Sequence, residues 1–265
     1  MIELISPDFC FKKEGRTRAV LLFHGMTGGP SEMKKLGKSL CTAGFDVYCR
    51  CLPGHRDHFR DIKQVSWRDW YNFSLSDYSM LKKNYSKVFL AGHCLGAVLA
   101  LAIAQEHQDV PGIIVLSTTL YLDGWAMPWY NFLLPLGLNT ILRYYYSFPE
   151  SEPYGIKNEA LRKKISSLQK RNTAATDHFP LCCTYELLAL SRLARANMKK
   201  ITAPVLIFHA REDDLSGLRS ARFVYGHVSS PVKELVILEN SYHMVIMDND
   251  SEFVFKKSSE FLNRI

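Results

Sequence analysis

No run of five or six cations, no C-x-x-C pair and no basic leader followed by an apolar run occurs in this chain of 265 residues. Each absence removes a class. The 33 Lys and Arg exceed the 26 Asp and Glu for a net charge of +7, but they are scattered; they read as solvated surface, and nucleic acid is not expected as a partner. Seven cysteines (Cys10, Cys41, Cys49, Cys51, Cys94, Cys182 and Cys183) make an odd set without zinc-site or disulfide spacing. Reduced thiols, no metal and a cytoplasmic setting are expected, and the missing leader points the same way. The longest uncharged stretch, Gly124 to Leu142, approaches membrane-spanning length but contains Pro128, Pro135 and Gly137, so it is not read as a span. What remains is an ordinary folded chain, 47% hydrophobic and 22% charged. At this length about 70–75% of the unfolded surface is buried on folding, enough for a core without disulfides.

Short β-branched runs alternate with longer amphipathic segments, which predicts an α/β fold with a mainly parallel sheet flanked by helices. Strands are expected at 18–23, 46–50, 87–91, 112–116, 204–209 and 233–238. Helices are expected at 31–43, 67–81, 95–105, 216–225 and 250–263; the one from Leu95 is apolar nearly all round and must be deeply buried. The alternation stops for about eighty residues, which places an inserted helical cap at 118–200 between core segments 1–117 and 201–265. Leu161, Ile165 and Leu168 mark one cap helix, and Leu187, Leu190, Leu193 and Ala194 another.

The densest signal is Ala91-Gly92-His93-Cys94-Leu95-Gly96, between a strand and the Leu95 helix. In a G-x-C-x-G turn this sharp, side chains two places either side of the centre would collide, which explains Gly92 and Gly96. The turn sets Cys94 at a helix N-terminus, where the dipole favours thiolate, and so makes it a candidate nucleophile. A thiol needs a base, and the base needs a group that orients it. Two later strand ends supply them: Glu212-Asp213-Asp214 after one, and Ser241-Tyr242-His243 after the other. His243 is the candidate base and Asp213 the chosen carboxylate, with Asp214 and Glu212 as neighbours and Asp123 as an outside alternative. Earlier, His24-Gly25-Met26-Thr27-Gly28-Gly29 ends the first long strand, and its glycines let the N–H of Met26, with that of Leu95, face a developing oxyanion. Gly25, Thr27 and His93 are candidate substrate contacts. His55, Arg56 and His58 follow the second strand, as site lining or as a plain polar loop.

With these motifs the chain resembles the carboxylesterase and monoacylglycerol lipase branch of the α/β-hydrolases over almost its whole length. Ala19-Val20-Leu21-Leu22-Phe23-His24-Gly25 is similar to that family's oxyanion strand and loop, Pro53-Gly54-His55 to its P-G-H loop, and Ser66-Trp67-Arg68-Asp69-Trp70 to its W-x-x-W helix start. The resemblance implies an α/β-hydrolase fold with an inserted helical cap, a Cys94, Asp213 and His243 triad, and Met26 and Leu95 as oxyanion donors. There are three departures: Cys94 replaces the family serine, Arg56 the glycine after P-G-H, and Tyr242 the glycine before the histidine.

The expected activity is hydrolysis of a carboxylic ester or thioester through an acyl-Cys94 intermediate. Aromatic residues in the cap, among them Trp125, Trp129 and Tyr130, suit an apolar acyl chain; the same surface also reads as glue between cap and core, or as a face for a lipid interface. The expected partner is thus a small-molecule acyl ester or thioester, with no organic cofactor and no predicted membrane contact. Two alternatives stay open at this point: an acyltransferase using the same acyl-Cys94, and a low-activity ligand-binding homologue in which cysteine, natural or engineered, replaces a working serine.

Overall fold

Strand β2 (Arg18–Phe23) shows how the sheet divides the interior. Ala19, Leu21 and Phe23 enter one apolar cluster while Val20 and Leu22 enter another, the two-residue period of a strand buried on both faces. The computed structural model describes residues 8–55, 62–149, 152–171 and 178–265. Its strands are β1 (Phe9–Phe11), β2, β3 (Asp46–Cys49), β4 (Lys87–His93), β5 (Ile113–Leu116), β6 (Ser147–Pro149), β7 (His178–Pro180), β8 (Val205–Ala210) and β9 (Lys233–Leu238). Seven form one sheet in the order β1-β3-β2-β4-β5-β8-β9. Within it β1 alone is antiparallel, pairing Phe9 with Cys49; every other neighbour is parallel.

Helices cover both faces. On one side α1 (Pro30–Thr42) contributes Met33, Leu36 and Leu40. From the far end of the chain comes α8 (Ser251–Arg264), with Val254, Phe261 and Leu262 in the same cluster. Packed on the other side are α2 (Trp67–Lys82) and α3 (Leu95–Glu106). The α3 helix is buried from Leu95 to Gln105, as its lack of a polar face requires. Ser66 and Asp69 close a capping box on α2, and the Trp70 indole donates to the Pro53 carbonyl at 3.0 Å, tying the Pro53-Gly54-His55 loop to that helix.

Between β5 and β8 the chain leaves the sheet. Two short 3₁₀ turns, Trp129–Leu133 and Ile141–Tyr144, flank α4 (Leu134–Leu138). The β6–β7 pair sets Phe148 opposite Phe179. Then α5 (Glu159–Arg171) and α6 (Leu181–Ala196) precede the return to the sheet, where α7 (Leu218–His227) links β8 to β9. Leu187, Leu190 and Ala194 of α6 join the cluster around α3, and Gln105 donates to the Ala194 carbonyl at 2.7 Å. The uncharged stretch forms short pieces rather than one helix, with Pro128 capping the first 3₁₀ turn and Pro135 and Gly137 inside the five-residue α4; no helix among the described residues is long and apolar enough to cross a membrane.

Candidate active site

At the end of β4 the backbone bends so sharply that Cys94 takes φ +53°, a left-handed conformation that costs any residue bearing a Cβ. Its glycine neighbours have no alternative. A Cβ on Gly92 would sit 2.1 Å from the Gly96 carbonyl oxygen, and one on Gly96 would sit 2.2 Å from that of Phe23. The bend is fastened to the next strand by the Cys94 N–H, which donates to the Leu116 carbonyl at 3.0 Å. Cys94 thus caps α3, with its sulfur 3.3 Å from Thr119 Oγ1 and only 4% of the residue exposed.

The turn after β9 brings an imidazole to the same place. His243 Nδ1 donates to Asp213, 2.9 Å from Oδ2 and 3.0 Å from Oδ1. Asp213 Oδ1 also accepts the N–H groups of Leu215 and Ser216, at 2.9 and 2.8 Å. With Nδ1 committed to the carboxylate, Nε2 is left as the free ring position, and it is buried without a hydrogen-bond partner among the described residues. The other carboxylates do different work: Asp214 accepts the His243 backbone N–H at 3.2 Å, Asp123 accepts that of Gly217 at 2.9 Å, and Glu212 pairs with Lys157.

Burial pushes the Cys94 thiol up, but the charge of the nearby His243 and His93 rings and the Thr119 hydroxyl together bring it down from 9.0 to about 7. Burial likewise pulls His243 down, and here Asp213 and the sulfur outweigh it, holding the ring well above the usual imidazole value. Asp213 stays below the usual carboxylate range because its neighbours' positive charge overcomes burial. The site therefore favours thiolate, imidazolium and carboxylate in sequence.

The loop after β2 lies across the thiol. His24 accepts the Leu52 N–H at Nε2, 2.9 Å away, so its proton sits on Nδ1 and reaches the Gly25 carbonyl at 2.8 Å. The Gly25 N–H donates to Glu32 Oε1 at 2.5 Å. Held at both groups of Gly25, the loop leaves the Met26 N–H, like that of Leu95, without a protein acceptor among the described residues. Glu32 also lies 3.6 Å from His93 Nδ1, and His93 Nε2 donates to the His243 carbonyl at 3.1 Å. Ser117 Oγ donates to that same carbonyl at 2.6 Å.

The sequence profile of the family described as Serine aminopeptidase, S33 matches residues 15–250. The chain belongs to that family. It is 28% identical over 251 residues to the thermostable monoacylglycerol lipase of Bacillus sp. strain H-257, with 95% of this chain and 92% of that one covered. The carboxylesterase of Bacillus subtilis strain 168 is 24% identical over 266 residues, covering 100% and 99%. Among solved structures, the monoacylglycerol lipase of Paleococcus ferrophilus has the same fold at a TM-score of 0.78 and 21% identity, with 98% of each chain covered. Sheet order and relatives together make this enzyme an α/β-hydrolase of the carboxylesterase and monoacylglycerol lipase branch.

In this hydrolase the remaining sequence candidates fall in two places. Gly25, His93 and Leu95 lie beside Cys94, a Cβ on Gly25 being 3.4 Å from that of Cys94, and Met26 and Thr27 follow Gly25 in the same loop, where Thr27 Oγ1 donates to the Met26 carbonyl at 2.6 Å. Trp125, Trp129 and Tyr130 are on the outer surface, Trp129 at 84% exposure and edge-on to Tyr130. Trp125 donates to the Glu212 carbonyl at 3.0 Å and stacks edge-on against Tyr242, so the tyrosine that departs from the family glycine packs under an indole. His55 packs against His24 and Trp70, while Arg56 and His58 lie outside the described residues. Among the described residues no cluster of three or more His, Cys, Asp or Glu could hold a metal ion. Reading the sequence overlooked Ser117 and Thr119, although their position just after β5 marks them by the strand-end rule applied to Asp213 and His243. Glu32, and Asp248, which accepts the Tyr242 N–H of the His243 turn at 2.9 Å, carry no such signal: one looks like an ordinary first-turn helix acid, the other like a loop residue.

Proposed function

We propose that this protein hydrolyses carboxylic esters or thioesters of apolar acyl groups through an acyl-Cys94 intermediate. The observation that carries the reading is the Asp213–His243 contact at 2.9 Å, which leaves an unpartnered Nε2 in the electrostatic field of a depressed thiol. His243 takes the thiol proton at Nε2, with Asp213 fixing the tautomer and balancing the imidazolium. The thiolate adds to the acyl carbon, and the N–H groups of Met26 and Leu95 receive the oxyanion. The imidazolium then returns its proton to the leaving oxygen or sulfur. Water, deprotonated by the same ring, releases the acid in a second addition and collapse.

Ester substrates are supported by relatives named as monoacylglycerol lipase and carboxylesterase. Segment 118–200 is proposed as the cap over the acyl site, its α6 packed on α3. A reducing, cytoplasmic setting suits a chain whose seven cysteines form no disulfide. The test is turnover of a nitrophenyl ester series and the matching thioesters, with intact-protein mass spectrometry. Expected are a transient acyl adduct, free acid as product, and loss of turnover in Cys94→Ala and His243→Ala. Full activity in either variant overturns the assignment. Acyl transfer to an added alcohol in preference to water would make the protein an acyltransferase, and an adduct that never clears would make it a binding protein.

A further inference from the structure

Thr119 stands just beyond β5, and the triad makes no use of it. Its hydroxyl lies 3.3 Å from the Cys94 sulfur. Both residues are buried, the threonine completely. The hydroxyl has a second neighbour, the Ser117 carbonyl at 3.2 Å, to which it donates. Its backbone is fixed as well: the Thr119 carbonyl accepts from Ser191 Oγ of α6 at 2.9 Å. Ser117, at φ +46°, donates its N–H to the Phe208 carbonyl at 2.9 Å and its hydroxyl to the His243 carbonyl at 2.6 Å. One turn therefore carries both the group that touches the sulfur and the group that holds the backbone of the base.

The hydroxyl is a donor and an acceptor at once, and it has two places for its proton. With Cys94 as a thiol, the hydroxyl donates to Ser117, as its 3.2 Å contact allows, and offers its oxygen to S–H across the 3.3 Å contact, in which either atom can be the donor. With Cys94 as a thiolate, the O–H turns onto the sulfur, where it makes the stronger, charge-assisted hydrogen bond. Resting on the reading of Cys94 as nucleophile, we propose that Thr119 is a catalytic residue whose hydroxyl accepts from the thiol and donates to the thiolate. The balance is closed. The S–H bond breaks as the N–H bond forms on His243 Nε2, and the threonine proton changes acceptor without leaving its oxygen. When the sulfur bonds to the acyl carbon it loses its negative charge, and the hydroxyl returns to Ser117.

Charged and titratable groups surround the site from several elements, some acting on the sulfur and others on its partners. His243 comes from the turn after β9, with Asp213 behind its ring and Asp214 on its N–H, and His209 lies 3.4 Å from Asp213. His93 comes from β4, Glu32 from α1 and His24 from the loop after β2. From α6 the contribution toward Thr119 is the uncharged Ser191. Among these groups the hydroxyl is the uncharged one in direct contact, so deleting it changes the thiolate without changing the charge of the site.

The test is Thr119→Val, which keeps the branched shape, with Thr119→Ser to restore the hydroxyl and Thr119→Ala if the valine variant does not fold. Alkylation of Cys94 by iodoacetamide is followed across pH by peptide mass spectrometry, which separates it from the other six cysteines, alongside the acylation burst from nitrophenyl acetate. Removing the hydroxyl should move the alkylation midpoint up by about one pH unit and reduce the burst several-fold near pH 6.5, as expected for losing one hydrogen bond to an ion. Thr119→Ser should return both. A folded Val or Ala variant with the wild-type midpoint and burst overturns the proposal, as does a serine variant that stays shifted. Failure of the nucleophile reading shows separately, as undiminished turnover in Cys94→Ala.

Discussion

His93 donates from Nε2 to the carbonyl oxygen of His243 across 3.1 Å, so the residue preceding the thiol on β4 grips the backbone of the residue that would deprotonate it. Glu32 closes this arrangement on the other side by accepting from Gly25 and facing His93 Nδ1. His93→Phe should therefore lower kcat roughly five- to tenfold with KM nearly unchanged, the value of one neutral hydrogen bond lost from a positioning group. Steady-state kinetics on a nitrophenyl ester check it; a rise in KM at constant kcat would assign His93 to substrate binding.

Asp213→Asn should cost more. The amide keeps an oxygen for the N–H groups of Leu215 and Ser216 but cannot hold a proton on His243 Nδ1 while balancing an imidazolium. A fall in kcat on the order of 10³–10⁴ is expected with near-normal melting. Asp214→Asn and Glu212→Gln, altered at groups that do not touch the ring, should stay within about threefold, a difference under 1 kcal/mol.

The pH profile should depend on the leaving group. Thiolate forms as pH rises through the Cys94 value of about 7, so acylation gains on that side. The imidazolium is lost as pH rises through the elevated His243 value, and with it the proton for a poor leaving group. Burst rates with a nitrophenyl ester should climb near neutrality and then hold, whereas an alkyl ester should give a bell. Identical profiles for the two would show that proton return does not limit the reaction.

Much of this was legible because strands and their ends have simple signatures. The period in β2 and the all-apolar α3 follow from burial on both faces, and the Gly92–Gly96 pair follows from two backbones too close for a Cβ. β1 escaped notice because three residues cannot show a period, and its pairing with β3 is decided across the sheet. Choosing among Glu212, Asp213 and Asp214 from sequence amounted to choosing which way adjacent side chains point. The geometry distinguishes them: Asp213 faces the ring, Asp214 the backbone of the same histidine, and Glu212 the solvent. Glu32 and Asp248 were illegible because the partners that decide their roles, His93 for the one and Lys157 and Asn158 for the other, come from distant stretches of sequence.

Asp248 gives a stability prediction. Its buried carboxylate accepts the N–H groups of Lys157, Asn158, Tyr242 and Asn249, at 2.6 to 2.9 Å, fastening residues 157–158 to the His243 turn. Asp248→Ala strands those donors and should destabilise the fold by about 2–4 kcal/mol, with kcat reduced in the folded fraction. Urea denaturation measures the first effect, and a change under about 0.5 kcal/mol would mean that water replaces the carboxylate.

Gly96→Ala tests the elbow itself. A methyl group 2.2 Å from the Phe23 oxygen and 2.8 Å from that of His24 must push β2 away from α3. A loss of about 3 kcal/mol or more is expected, seen as a collapsed melting temperature or insoluble expression. A well-folded, active alanine variant would mean that the two backbones sit farther apart.

With 4% of Cys94 exposed, the thiolate is sheltered from peroxide and metal-catalysed oxidation in the resting enzyme. Such damage requires the same admission that a substrate requires. A preparation stored in air should thus keep its activity longer at rest than during turnover, and ageing should follow the number of catalytic cycles more closely than time.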